Sequence, residues 1–272
     1  MADSKSASGT NVLVITSTAP NGGTAQIVRS VVNDVVAGTL LFSQDDPAGD
    51  DKGPGNYAYP TALDFHAGAF DLRRFQVYNT GATTTFRVLT ADLTPTFGST
   101  NGAQLVDLYV HEPAATATST AASYPGMNYS LAPSSAWSRL IEVQGFGNNR
   151  FVDSTGATVG IITVNANSVS KYTTFTVDTA ALGGTPGSGW GFTVTLTGQD
   201  GTHGVDQTRT FSSTPGAYSF GVCATASASG LCSADPTTVP KVMDTLVPAG
   251  VSQSAELDYT AGPVVLRGVT IP

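Results

Sequence analysis

The 272-residue sequence predicts an all-β chain, folded as an antiparallel, jelly-roll-like β-sandwich. Three observations predict it. Apolar residues nowhere hold a 3.6-residue period over three turns. Short runs of Val, Ile, Thr, Phe and Tyr are instead broken by Gly, Pro and Asn turns, roughly every 8 to 12 residues. The composition is 40% hydrophobic and only 12% charged, which supplies a core and argues against disorder.

The elements follow in order. Residues 1–38 read as a polar tail and a hairpin. Its strands are Val12–Thr18 and Gln26–Val36 and its turn is Asn21-Gly22-Gly23. The hairpin is either the end of a preceding domain or an edge added to the main sheet. The main sandwich is expected over 39–250. Thr39–Ser43 leads into an acidic loop. Phe70–Tyr78 and Thr83–Thr90 then form a hairpin around Asn79-Thr80-Gly81-Ala82. Leu105–His111 alternates, with Leu105, Asp107, Tyr109 and His111 on one face. Residues 113–135 carry little pattern, and a loop of that length is either functional or mobile. Strands are expected at Trp137–Gly145, Arg150–Asp153, Thr158–Asn165, Val169–Val177, Trp190–Gly198, Gln207–Phe211 and Ala217–Val222. Thr179–Leu182 reads as one helical turn. The tail, 251–272, with Leu257–Tyr259 and Val264–Thr270, is expected to add a last strand.

Charge narrows the function classes. The net charge of −8 argues against nucleic acid, which needs Lys and Arg to displace counterions, and against anionic membrane surfaces. No apolar window is long enough to span a membrane. The polar start lacks the apolar core of a signal peptide, so a secreted form implies a piece of a longer precursor. Acid is supplied by 17 Asp and only three Glu. Asp suits turns, and it also suits calcium loops.

The stretch from Phe42 to Asp71 concentrates that acid. Asp46, Asp50 and Asp51 lie within six residues, bent by Pro47 and Gly49 and turned again by Gly53-Pro54-Gly55. Acids so close repel one another unless a cation or solvent separates them, and calcium takes six to eight oxygens from such groups. The EF-hand spacing and its final Glu are missing. The expected ligands are Asp46, Asp50, Asp51 and Asp71, the last closing the site from a strand; a solvated, Asp-capped turn is the alternative.

Aromatic residues are the candidates for sugar stacking. Tyr57 and Tyr59 share a face if extended, and either stack on a ligand or lock the loop onto the sandwich. Trp190 follows Gly187-Ser188-Gly189 and is either a ligand platform or a core anchor. Phe146, between Gly145 and Gly147, sits on a loop tip. Cys223 and Cys232 are separated by eight residues, a loop easily closed as a disulfide, which would imply an oxidising compartment. Two free thiols are the alternative, since no His lies near enough to build a zinc site. Catalysis has no support. His66, His111 and His203 have no metal spacing, there is no nucleophile elbow, and Glu142 lacks a motif-supported carboxylate partner.

A family resemblance rests on several of these stretches. D-P-A-G-D-D-K-G-P-G-N-Y-A-Y-P at 46–60 and F-H-A-G-A-F-D-L at 65–72 resemble the C-terminal module of glucodextranases and related pullulanase-type enzymes. Q-L-V-D-L-Y-V at 104–110, W-S-R-L-I-E-V-Q-G at 137–145 and G-W-G-F-T-V-T-L-T-G-Q-D-G at 189–201 agree in the same order. The resemblance implies a sandwich like the DOMON and family-nine carbohydrate-binding modules, often calcium-bound. It also implies attachment to the catalytic domain of a secreted or cell-surface enzyme, and polysaccharide as partner, either α-glucan or cell-wall glycan. A structural or adhesive surface-layer or filament module is the alternative.

Overall fold

The computed structural model of the chain describes residues 9–201, 208–223 and 234–272. In chain order the strands are β1 (Gly9–Thr18), β2 (Thr24–Asn33), β3 (Thr39–Asp45), β4 (Leu72–Asn79), β5 (Thr83–Thr90), β6 (Gln104–His111), β7 (Ser130–Leu131), β8 (Arg139–Gln144) and β9 (Arg150–Asp153). They continue as β10 (Thr163–Asn167), β11 (Tyr172–Asp178), β12 (Gly191–Gly198), β13 (Phe211–Ser212), β14 (Phe220–Gly221), β15 (Asp244–Thr245), β16 (Val265–Leu266) and β17 (Val269–Thr270). Two single-turn helices are α1 (Thr179–Leu182) and α2 (Gln253–Glu256).

The chain forms two compact units, the first ending at Ala37. In that unit β1 and β2 pair antiparallel as a two-stranded sheet. Both of its faces are apolar and exposed. Val14 and Val28 lie on one face, Leu13, Ile15 and Ile27 on the other. An isolated two-stranded hairpin is marginal in water.

The second unit, Gly38–Pro272, is a β-sandwich of two antiparallel sheets. One sheet has the order β10-β11-β5-β4-β3. The other has the order β15-β12-β6-β8-β9, with β17 also paired to β12. Alternation sends Phe75, Val77, Phe86, Val88, Phe175 and Val177 inward from the first sheet, where they meet Val106, Leu108, Val110, Ile141, Val143, Phe192, Val194 and Leu196 of the second. Phe192 sits at the centre, with ring centroids 5.4 Å from Phe75 and 6.1 Å from Phe86.

The expected alternation along β6 is there, but its other face is not exposed. Tyr109 and the outward residues of β8 and β9 lie under a second apolar cluster made by Tyr124, Met127, Tyr129 and Leu131 with Val242, Leu257, Val264 and Leu266. The patternless segment 113–135 is thus a cover for the six-stranded sheet. The tail is also part of this unit, since Val269 and Ile271 enter the main core.

Local differences from the expected elements have physical causes. Leu257–Tyr259 is not a strand, because Ser252 accepts from the Ala255 N–H and caps α2 just before it. Val264–Thr270 breaks into β16 and β17 at Gly268, where a Cβ would come within 2.7 Å of Thr193 Oγ1. The strand expected over Thr158–Asn165 starts only at Thr163. Gln207 lies outside the described residues, and of that run only Phe211 is in a strand. The helical turn at Thr179–Leu182 forms as expected: Asp178 accepts from the Ala180 and Ala181 N–H groups, and Gly183 ends it at φ +112°.

Candidate functional site

The acidic loop leaves the end of β3 and returns at the start of β4. Several bonds fasten it to the segment before β15. The Gly53 N–H donates to Met243 O at 2.8 Å, and the Tyr57 hydroxyl donates to Pro240 O at 3.0 Å. Gly53 is required there on two counts. Its φ is +57°, and a Cβ would stand 2.3 Å from the Tyr57 ring. From α2, the Gln253 amide donates to Asp50 O and, at 3.0 Å, to Gly53 O, while its oxygen accepts from the Thr245 N–H at 2.8 Å.

These ties bring Asp244 to the loop. Asp46, Asp50 and Asp244 each offer a carboxylate oxygen, all within 4.8 Å of one another. Asp46 and Asp244 are buried, at 7% and 0% exposure. Both Asp46 oxygens, and one oxygen each of Asp50, Asp71 and Asp244, are buried with no hydrogen-bond partner. The other Asp244 oxygen accepts from the Leu72 N–H at 2.7 Å, and the other Asp71 oxygen from the Gly49 N–H at 3.2 Å. Burial and repulsion from Asp50 and Asp71 push the Asp46 carboxyl up to about 8, burial and repulsion from Asp46 and Asp50 raise Asp244 well above its usual value, and burial chiefly raises Asp50 and Asp71. The nearest countercharge is the Arg73 guanidinium, 3.8 Å from Asp71. A hard cation at roughly 2.3–2.6 Å from each oxygen holds opposed ligands no more than about 5 Å apart, so the three oxygens fit around one such ion.

Of the four expected ligands, Asp46 and Asp50 are brought together and Asp71 adjoins them. Asp51 is turned away: the Tyr59 hydroxyl donates to its carboxylate and accepts from the Phe70 N–H at 3.0 Å. Asp244 was missed. It lies 173 residues beyond Asp71, but a lone charge within V-M-D-T-L-V was its signal, since an unpaired acid seldom sits in an apolar strand.

The aromatic candidates divide. Tyr57 and Trp190 pack in the core, 1% and 8% exposed. Tyr59 packs edge-on against Phe70 at 5.0 Å and, with Tyr57, lines a cavity of about 610 Å³ beside Asp51 and Asp71. Only Phe146 of the four is exposed, at 39%. Cys232 lies outside the described residues, so its expected bridge to Cys223 is not described.

A second buried acid pair lies on the outer face of the six-stranded sheet. Asp107 and Glu142 are cross-strand partners, 1% and 0% exposed. Arg150, across from Glu142 on β9, pairs with it at 3.1 Å. Tyr124 also donates to Glu142, at 3.3 Å, while Tyr109 and Ser123 donate to Asp107 at 3.2 and 2.6 Å. Burial raises both carboxyls, and Arg150 opposes the rise.

Residues 41–265 match the family described as the C-terminal binding-module, SLH-like, of glucodextranase. The chain belongs to this family. The match takes in β4–β15, the acidic loop, the covering segment 113–135 and Asp244. No curated protein matches the chain. The glucodextranase C-terminal family is one of binding modules, and no helix among the described residues is long and apolar enough to cross a membrane.

Proposed function

We propose that this glucodextranase C-terminal module is a non-catalytic, extracellular or cell-surface accessory module that binds carbohydrate or cell-envelope glycan for a polysaccharide-degrading enzyme. The family match over residues 41–265 carries that reading. The wider kinship with DOMON-like and family-nine sandwiches belongs to it and is supported by the two-sheet architecture. The physical role is proximity: a tethered enzyme works at a raised effective concentration of polymer without any change in its chemistry. A hydrolase reading is disfavoured by burial, since Tyr124 and Ser123 cover the one pair of carboxyls that includes a Glu on a strand among the described residues.

Calcium is the cofactor in this reading. Asp46, Asp50 and Asp244 would hold it, with Asp71 adjoining. The supporting observation is their unpartnered, buried oxygens. The ion would supply the positive charge the cluster lacks and so fasten the loop to β4 and β15.

Affinity electrophoresis on dextran, pullulan, starch and isolated cell walls, with and without calcium, tests the reading. Retarded migration on at least one polymer is expected. The exposed apolar hairpin favours a second reading, a structural or adhesive module that pairs through free strand edges. Ordered assemblies in sedimentation and electron microscopy, with no retardation on any glycan, would decide for it.

A further inference from the structure

Solvent-facing aromatic surface is scarce in this chain. Of its nine Tyr, twelve Phe and two Trp, only Phe146 and Tyr218 are exposed among the described residues, at 39% and 56%. They belong to loops far apart in sequence, Phe146 between β8 and β9 and Tyr218 between β13 and β14. Both converge on Phe97. The Phe97 and Tyr218 centroids are 6.3 Å apart, and Phe97 and Phe146 line one cavity of about 340 Å³ with Asn148, Asp200, Gly201 and Arg209.

The corner is built rather than incidental. Phe97 has a φ of +52°, a left-handed backbone that costs an aromatic residue roughly 1–3 kcal/mol. That strain is accepted where the ring meets Phe65 at 5.5 Å and Tyr218. Beneath them lies Arg209, only 6% exposed, its guanidinium carbon 4.8 Å from the Phe65 centroid and 5.4 Å from that of Phe97. Arg209 donates to Tyr218 O at 3.1 Å and stands 3.9 Å from Asp200, so it fixes the Tyr218 loop to the β12 end. Phe146 lies against Gly201, where a Cβ would come within 2.6 Å of the ring, and 39% of the residue stays exposed.

We propose that this corner, with Phe146 and Tyr218 as stacking faces and Asn148 and Asp200 as polar partners, binds a neutral hexopyranose chain; the proposal rests on the glycan-binding reading above and names its site. A pyranose ring presents an apolar C–H face to an aromatic ring and hydroxyls to amide and carboxylate groups at its edge. An aromatic-lined hollow with a few fixed polar groups is the usual make-up of a small-molecule site, and its volume is at the low end of the ~300–1,000 Å³ range, which suits a short stretch of polymer. The net charge of −8 selects against anionic cell-wall polymers, and Asp200 and Arg209, which both line the cavity, neutralise each other at 3.9 Å.

The test uses the whole chain in calcium buffer, titrated with pullulan, dextran and an anionic cell-wall polymer. Phe146→Ala and Tyr218→Ala, both at exposed positions, are each expected to weaken binding of a neutral glucan about tenfold while the melting temperature stays put. If both variants bind as tightly as the parent chain, the site lies elsewhere and the glycan-binding reading stands without it. If the parent chain binds no glycan, that reading falls and the proposal with it. Binding of the anionic polymer alone would overturn the neutral class.

Discussion

Two groups of acids are buried in this sandwich, and they are compensated in opposite ways. Asp107 and Glu142 face each other across β6 and β8, and the next strand in register supplies Arg150. The covering segment adds the hydroxyls of Ser123 and Tyr124. That pair brings its own countercharge. Asp46, Asp50, Asp71 and Asp244 come from a loop, a strand start and a strand nearly 200 residues further on, and most of their buried oxygens meet no donor. Regular sheet register can deliver a guanidinium to a carboxylate. A loop fastened to a distant strand gathers acids with only the Arg73 guanidinium beside them, 3.8 Å from Asp71, and in the proposed reading the rest of the neutralising charge comes from a bound cation. The difference teaches that buried acids are told apart by their countercharge more than by their burial, since Asp107 too keeps one buried oxygen without a donor.

The largest effect expected is from breaking the self-compensated pair. Arg150→Ala leaves two buried carboxyls sharing a sheet with no cation. Removing one partner of a buried pair costs roughly 3–5 kcal/mol, and the partial exposure of Arg150 points to the lower end. A melting temperature lower by roughly 6–12 °C is expected in calorimetry for a domain of this size. The same variant should keep its full response to calcium. Loss of that response would mean that the two clusters are coupled, contrary to the comparison.

Next comes the cluster proposed to hold calcium. Calcium at a hundred times its dissociation constant should add about 2.7 kcal/mol to the parent chain, and chelation should remove it. Asp244→Asn should abolish this calcium-dependent rise in melting temperature, while Glu142→Gln leaves it intact. An unchanged rise in Asp244→Asn would remove Asp244 from the site.

The self-compensated half was hard to read from sequence because its chemistry depends on register. The alternation in L-V-D-L-Y-V-H and the strand at Trp137–Gly145 were legible, and so was the sandwich, because period-2 runs and glycine turns are local signals. Which residue of β8 faces Asp107 is not local. Nor was the cover legible: Tyr124, Met127, Tyr129 and Leu131 bury without a regular period because 113–135 is not a regular element. In the other cluster the loop's acids stood out, but proximity in sequence put Asp51 beside Asp50 when Tyr59 takes its carboxylate. Asp244 could be placed only by the bonds of Gly53, Tyr57 and Gln253 to the segment that carries it.

Burial raises the acids of both clusters, so a pH titration separates them only when one is held by calcium. In saturating calcium the acids proposed to hold the ion would stay ionised, leaving the Asp107–Glu142 pair to respond. Burial raises the folded Glu142 carboxyl to about 8, above its ordinary value near 4.3. Between those values the folded chain holds a proton that the unfolded chain has released. Stability is therefore greatest at the acid end of that window and falls as pH rises through it, by up to about 1.4 kcal/mol per pH unit. Glu142→Gln has no proton to lose at that position and should flatten the slope in urea melts. A slope that persists unchanged would assign the proton elsewhere.

The smallest effect tests where the ion-dependent cluster ends. Asp50 and Asp51 are neighbours, yet Asp50 shares a 4.8 Å set of oxygens with Asp46 and Asp244, whereas Asp51 accepts from Tyr59. A ligand carboxylate contributes a charge-assisted contact worth roughly 1.5–3 kcal/mol, so Asp50→Asn should weaken calcium binding at least about tenfold. Asp51→Asn removes a charge that acts on the ion only through space and keeps an oxygen for Tyr59, so a change within about threefold is expected. Isothermal titration of both variants reads the two affinities directly. Equal losses would bring Asp51 into the cluster and recast its bond to Tyr59 as one that holds a ligand in place.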